Sequence, residues 1–255
     1  MNRFVRVDHN NNPVWGELTE KNIKLMTDAP WNEFEFNGED IQFEGDKLLA
    51  PATPSKIVLV GLNYHDHIKE SHTADKAPDE PLIFMKPSTT VIGPNDGIPY
   101  HDGLDRIDYE GELAAVIGKK IFKADENDSK DAIFGYTILN DVTARNVQRK
   151  ENKFTRGKGF DGFAPIGPWI VTGIDPLDLE LKTYLNDELK QEARTSLHIW
   201  NVYQLVSFIS GVMTLLPGDV ISTGTPKGVG PFQPGDVVRI GIENIGMLEN
   251  KVIKV

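Results

Sequence analysis

Cysteine is absent from the 255 residues, which excludes disulfides, thiolate nucleophiles and cysteine-bound zinc. No stretch approaches the roughly 18 consecutive apolar residues of a membrane span. The first residues, MNRFVRVDHNNNPVWGEL, lack the apolar centre of a signal peptide, so a cytoplasmic protein without a membrane partner is expected. Basic residues are outnumbered: 27 Lys and Arg stand against 38 Asp and Glu, a formal net charge of −11. Nucleic acid rewards a basic surface and is therefore not the expected partner. An acidic small molecule would need a local basic pocket working against the overall field. Repeats of solenoid length are missing as well.

What is present is an ordinary globular composition, 39% hydrophobic and 25% charged. Short β-like pieces (FVRV, PVWGEL, NIKLM, FEFNG, IQFEG) alternate with turn residues before LLAPATPSK brings two prolines. The expected division is a small β-rich segment, residues 1–52, and a main domain, residues 53–255. KIVLVGLN reads as a buried strand, YHDHIKES as a helical piece, and SHTADKAPDEP as a loop able to move. GYTILND runs as a strand into a helix, DVTARNVQRK, and LPGDVISTG and QPGDVVRIGI repeat a Pro-Gly-Asp turn feeding a β-branched strand. Strands dominate, so a mixed, mainly β core is expected rather than a doubly wound α/β sheet.

Residues 108–120, DYEGELAAVIGKK, pose a problem. Leu113 to Ile117 has the pattern of a strand buried on both faces, yet Glu110 and Glu112 stand at its start. Residues two apart on a strand share a face, so two carboxylates are held side by side. Burying them is costly unless something compensates. The helix expected to begin at Asp141 puts Asp141, Arg145 and Gln148 on one face, where apolar residues normally stand. Asp141 there is either an N-cap or a third carboxylate beside the glutamates. Three hard oxygen donors would suit a divalent cation such as Mg²⁺. The alternative is a solvated strand edge.

Other patterns are less specific. His67 and Glu70 share a helical face, an arrangement that makes a general base, or merely a surface pair worth a few tenths of a kcal/mol. His65 and Asp66 lie beside them, and spacing alone does not select His67. Gly157, Gly159 and Gly162 match G-x-G-x-x-G, but Pro165 and Pro168 follow where a dinucleotide fold needs a helix. Backbone passing close to a ligand, with Lys158 as a local cation, fits better. STGTPKGVG lacks the spacing of a nucleotide loop; it could hold a carboxylate through Thr225 and backbone N–H groups, or be a plain turn.

In order, GLNYHDHIKE, PLIFMKPSTTVIGPND, DYEGELAAVIGK, GYTILNDVTARNVQ, KGFDGFAPIGPW and STGTPKGVGPFQPGD resemble the fumarylacetoacetate hydrolase superfamily, from about residue 55 to the C-terminus. The resemblance implies a mainly β sandwich or roll, a homodimer, and a Mg²⁺ or Mn²⁺ ion held by Glu110, Glu112 and Asp141. It assigns substrate contacts to Arg145, Gln148 and Thr225, and catalytic roles to His67, Glu70 and Lys158. Asn146 stands where the family commonly has Asp, off the Asp141–Arg145–Gln148 face. The implied substrates are 2-oxo or dioxo acids. The leading expectation is hydrolysis of a C–C bond in a 2,4-dioxo acid of the acylpyruvate or fumarylacetoacetate type. Alternatives are decarboxylation of oxaloacetate or 5-oxopent-3-ene-1,2,5-tricarboxylate, isomerisation of 2-hydroxyhepta-2,4-diene-1,7-dioate in aromatic-acid catabolism, or a non-catalytic binding protein. Residues 64–80 are expected to close over the substrate and, with the N-terminal segment, to select its tail.

Overall fold

The computed structural model describes residues 1–43, 48–70 and 76–255. The chain is built mainly of strands, as the sequence patterns require. Its largest sheet runs, in spatial order, through Phe36–Gln42, Asn22–Met26, Asn12–Leu18, Asn2–His9, Ala164–Thr172, Ile133–Asn140, Gly111–Ile117, Val220–Ser222, Ile57–Gly61 and Leu82–Lys86. The N-terminal strands therefore extend the main sheet, through pairing of Asn2–His9 with Ala164–Thr172.

The Gly111–Ile117 strand is buried at every position because both of its faces are covered. Leu113 and Ala115 pack with Leu181, Val238, Ile240 and Leu248 of a second sheet. That sheet has the order Glu188–Arg194, Glu180–Leu185, Val237–Ile242, Gly246–Lys254, Ile98–Tyr100. Ile117 on the same face meets Leu205, Val206 and Ile209 of the Val202–Val212 helix. Asn201 caps this helix and Gln204 bonds back, a capping box that fixes where it starts. Ala114 and Val116 face the opposite way, packing with Ile57, Leu139, Ile166 and Ile170.

The two Pro-Gly-Asp turns are built alike. Gly218 and Gly235 take φ of +85° and +98°, a left-handed backbone that glycine adopts freely. Each following aspartate accepts a bond from the N–H three residues back: Leu216 N to Asp219 Oδ2 at 2.8 Å, and Gln233 N to Asp236 Oδ2 at 2.7 Å.

One local expectation fails. Asp141 does not begin a helix. Its N–H donates to Glu110 O at 2.8 Å, and the next residues, Thr143–Ala144, pair with Ile107–Tyr109 in a small third sheet. The β-branched pair Val142 and Thr143 favours this extended path. The helix is Arg145–Glu151, with Ala144 at its N-cap position, so both the N-cap reading of Asp141 and its shared helical face are replaced. Among the described residues no helix is long and apolar enough to cross a membrane.

Candidate active site

Glu110 and Glu112 flank Gly111 at the head of the Gly111–Ile117 strand. The neighbouring strand pairs Gly111 with Asn140, which brings Asp141 alongside. One oxygen from each of Glu110, Glu112 and Asp141 lies within 4.8 Å of the others, and the three residues are 4%, 1% and 1% exposed. These are the two glutamates and the aspartate singled out from the sequence.

The compensation sought for their repulsion is uneven. Glu110 accepts from Lys158 Nζ at 2.9 Å and pairs with Arg145. Burial alone would raise its pKa, but Lys158 and Arg145 hold it well below the usual carboxylate range. Asp141 Oδ2 accepts from Lys158 Nζ at 2.5 Å. Burial works against the Lys158 charge, yet Asp141 and Glu110 outweigh it and raise its pKa. Glu112 has no ion pair with any described residue; its Oε2 accepts from Ser222 Oγ at 2.5 Å and Gly224 N at 2.9 Å. Burial, with Asp141 next, pushes its carboxyl well above the ordinary value.

Two features make the trio fit a hard divalent cation. Glu112 is a buried carboxyl without a countercharge, whose ionisation a bound cation would favour. Asp141 Oδ1 is buried and accepts no hydrogen bond, although Lys86 Nζ lies 2.9 Å away, off-line for one. An all-carboxylate donor set is the kind that Mg²⁺ and Mn²⁺ take.

The cavity over the carboxylates has a volume of about 540 Å³. Arg145 reaches it from the first turn of its helix, bonding Asp108 Oδ2 at 2.9 Å and Gln148 Oε1 at 2.7 Å. Gln148 lines the cavity too, so this helix delivers both residues without Asp141 being part of it. Thr225 is also on the wall, but its hydroxyl donates to Gly111 O at 3.0 Å and accepts from Gln191 Nε2 at 2.8 Å. Its proton already serves the scaffold. Asn146 bonds Asp105 at 3.4 Å, outside the cavity lining.

The helix His65–Glu70 resolves the ambiguity around His67. His65 and Asp66 are exposed, whereas the His67 side chain is 12% exposed and lines the cavity. Burial lowers its pKa, which favours the neutral imidazole at pH 7. Glu70 Oε2 stands 3.9 Å from His67 Nδ1, beyond hydrogen-bond length, and accepts instead from Gly228 N at 2.8 Å. Leu62, at φ +59° and 7% exposed, turns the chain from the Ile57–Gly61 strand toward this helix. A bulky residue in that conformation stores about 1–3 kcal/mol, the kind of strain kept at functional sites. Of the segment 64–80 expected to close over substrate, residues 71–75 lie outside the described residues.

Sequence reasoning missed several supports. Lys86 is fully buried, donating to Val142 O at 2.9 Å and Phe163 O at 2.5 Å beside Asp141; burial pushes its pKa down to about 8. A lone charge ending the apolar run LIFMK was its signal. Asp108 continues the spacing of Glu110 and Glu112 backward by two and holds Arg106 and Arg145. Gln191, from the second sheet, joins Gly111 N, Thr225 Oγ1 and Pro226 O, and nothing local marks it. No described residue of 1–52 lines the cavity, and the strands of this segment lead away from the site along the sheet.

Comparison with known proteins agrees with this geometry. Residues 56–253 match the family model "Fumarylacetoacetate (FAA) hydrolase C-terminal", and residues 2–51 match "Rv2993c-like, N-terminal". Protein Rv2993c of Mycobacterium tuberculosis is 46% identical over 242 residues, covering 94% of this chain and 91% of its own length. Oxaloacetate tautomerase YisK of Bacillus subtilis is 41% identical over 219 residues, covering 81% of this chain and 73% of its own. The crystal structure of 2-hydroxyhepta-2,4-diene-1,7-dioate isomerase from Mycobacterium marinum superposes with a TM-score of 0.91 at 42% identity, over 100% of this chain and 99% of that one. Maleylpyruvate hydrolase from Sphingobium sp. SYK-6, solved with manganese(II) and pyruvate, gives 0.79 at 29% identity, over 99% of both chains. With four-fifths of its length on the family model and the acidic trio in place, the chain belongs to the fumarylacetoacetate hydrolase family.

Proposed function

We propose that this enzyme moves a proton at the carbon next to the carbonyl of a 2-oxo acid, as a tautomerase or isomerase working with Mg²⁺ or Mn²⁺ at Glu110, Glu112 and Asp141. The observation that carries the reading is one cavity lined by a largely buried imidazole, His67, and a buried ammonium, Lys158, beside three carboxylates. When bound, a divalent cation there supplies Lewis-acid stabilisation of negative charge on an oxo oxygen.

The chain's own groups do the rest. Arg145 and Gln148 bind and orient the substrate's carboxylate. His67, kept neutral by burial, takes the proton from carbon. Glu70, once it draws nearer to Nδ1, would hold the Nδ1–H tautomer and leave Nε2 as the base. Lys158 pairs with Glu110 and Asp141, holds Glu110 ionised, and lends positive charge to the same wall. Support comes also from the names of relatives: the tautomerase and isomerase are 41% and 42% identical, the maleylpyruvate hydrolase 29%.

C–C hydrolysis of a 2,4-dioxo acid, the leading expectation from the sequence, remains the second reading. It is favoured by the His67–Glu70 pair, which suits activation of water. NMR of the reaction in D₂O separates the two on a panel of oxaloacetate, an acylpyruvate and a diene diacid, with Mg²⁺ or Mn²⁺ added. Deuterium appearing at C3, or a shifted double bond, with every carbon retained supports proton transfer. Pyruvate plus a second acid would replace it with hydrolysis, and inertness toward the whole panel would end both.

A further inference from the structure

Most cations on the cavity wall already have a carboxylate. Arg145 pairs with Asp108 and Glu110, Arg106 with Asp108, and Lys158 with Glu110 and Asp141. Arg149 and Lys153 line the same cavity, and neither makes a hydrogen bond or ion pair with any described residue. Both are exposed side chains, so the cavity they line carries positive charge open to solvent in a chain of net charge −11.

The helix dipole accounts for only part of this. Arg149 and Lys150 both occupy the last turn of Arg145–Glu151, where positive charge is favoured, yet Lys150 does not line the cavity. Asn152 then adopts a left-handed C-cap at φ +50°, and the chain turns so that Lys153 and Phe154 also line the cavity. Phe84 links these residues to the carboxylate cluster. Its ring lies 4.9 Å from Lys158 Nζ, and its centroid 4.9 Å from that of Phe154, the neighbour of Lys153. The wall thus offers an anion-binding head, an aromatic floor and a second, unclaimed pair of positive charges.

We propose that Arg149 and Lys153 form a second anion subsite, for the far carboxylate of an extended 2-oxo diacid whose apolar or unsaturated middle lies on Phe84 and Phe154. This rests on the 2-oxo acid reading and narrows its substrate class. Contacts to a part of the substrate remote from the reacting carbons act mainly on binding, so they register in KM more than in kcat.

The test compares kcat/KM for a seven-carbon 2-oxo diacid with that for its distal monomethyl ester. Wild type, the double variant Arg149→Gln/Lys153→Gln, and the control Lys150→Gln are measured, with melting temperatures to verify folding. Wild type prefers the diacid by about 10-fold or more, as two charge-assisted contacts imply. In the double variant the preference falls to within about 2-fold, through KM. Lys150→Gln, which removes the same charge from the same helix end, keeps the wild-type preference. A preference that survives the double variant, or a wild type that handles both compounds equally, overturns the subsite while leaving the 2-oxo acid reading intact. A wild type that turns over neither compound, nor oxaloacetate, overturns that reading and the subsite with it.

Discussion

Glu112→Gln is the substitution whose sign depends on the cation. The side chain is 1% exposed, and Oε2 is held by Ser222 Oγ and Gly224 N. Glutamine keeps the shape and an acceptor for both bonds; only the negative charge goes. In the metal-free protein that charge is unwelcome, because burial and Asp141 raise the carboxyl well above its ordinary value. A raised folded pKa gives stability that is complete below the unfolded value and is lost as pH rises through the folded one. Removing the group removes that loss, so the metal-free variant is at least as stable as wild type at neutral pH. With cation the order reverses. Loss of one anionic ligand of three weakens binding by about 100-fold or more, about 2.7 kcal/mol. At a free cation level 100 times the wild-type Kd, mass action adds about 2.7 kcal/mol to wild type and about 0.4 to the variant. For a chain of this size that is roughly 5–11 °C against about 1 °C. Thermal melts of stripped protein with and without Mg²⁺ read both quantities. Equal metal-induced shifts in the two proteins, or a metal-free variant that melts clearly below wild type, would refute the reasoning.

Other changes separate scaffold from chemistry. His67→Ala should cut turnover by about 10²-fold or more with cation affinity nearly intact; steady-state rates at the wild-type level would remove His67 as the base. Gln191→Leu strands buried partners at Gly111 N, Thr225 Oγ1 and Pro226 O, and should lower stability by about 2–4 kcal/mol in urea melts; a loss under about 0.5 kcal/mol would show that these groups find other partners. His198 is half-buried against the Tyr64 ring, at 4.6 Å between centroids, with its Nε2 buried and without a hydrogen bond, and burial pushes its pKa down to about 3. Its folded value is depressed, so its contribution is present above about pH 6.5 and is lost as pH falls toward 3, by up to about 1.4 kcal/mol per pH unit. His198→Phe should therefore flatten the decline of stability between pH 6.5 and 4.5. An unchanged slope would mean that His198 charges without opening the structure.

How much could be read in advance depended on how local each feature is. Glu110 and Glu112 were visible because a strand's period of two places them together within three residues, and the run after them announced burial on both faces. Gly218 and Gly235 were visible because a Pro-Gly-Asp turn is written in adjacent letters. Asp141 misled because Asp before a helix pattern reads as a cap; the pairing of Thr143 with Asp108, 35 positions earlier, decided otherwise. Ser222, Gly224 and Gln191 escaped because sheet order brings in their partners across 34 residues or more and each alone is an ordinary residue. Lys86 carried a signal, its charge at the end of LIFMK, but its partner Asp141 lies 55 residues on. Glu70 was legible as a neighbour of His67 but not as an acceptor for Gly228, 158 residues away.

The central claim is a cation-dependent site for 2-oxo acids, and titration calorimetry of oxalate into metal-stripped protein, with and without Mg²⁺, tests it most directly. Oxalate presents the paired oxygens of a 2-oxo acid in its enolate form. Cation and oxalate binding at one site are linked, so each must tighten the other by the same factor. The account predicts that Mg²⁺ tightens oxalate binding by about 10-fold or more, and that Glu112→Gln loses most of that gain. Oxalate binding of equal strength with and without the cation would contradict it.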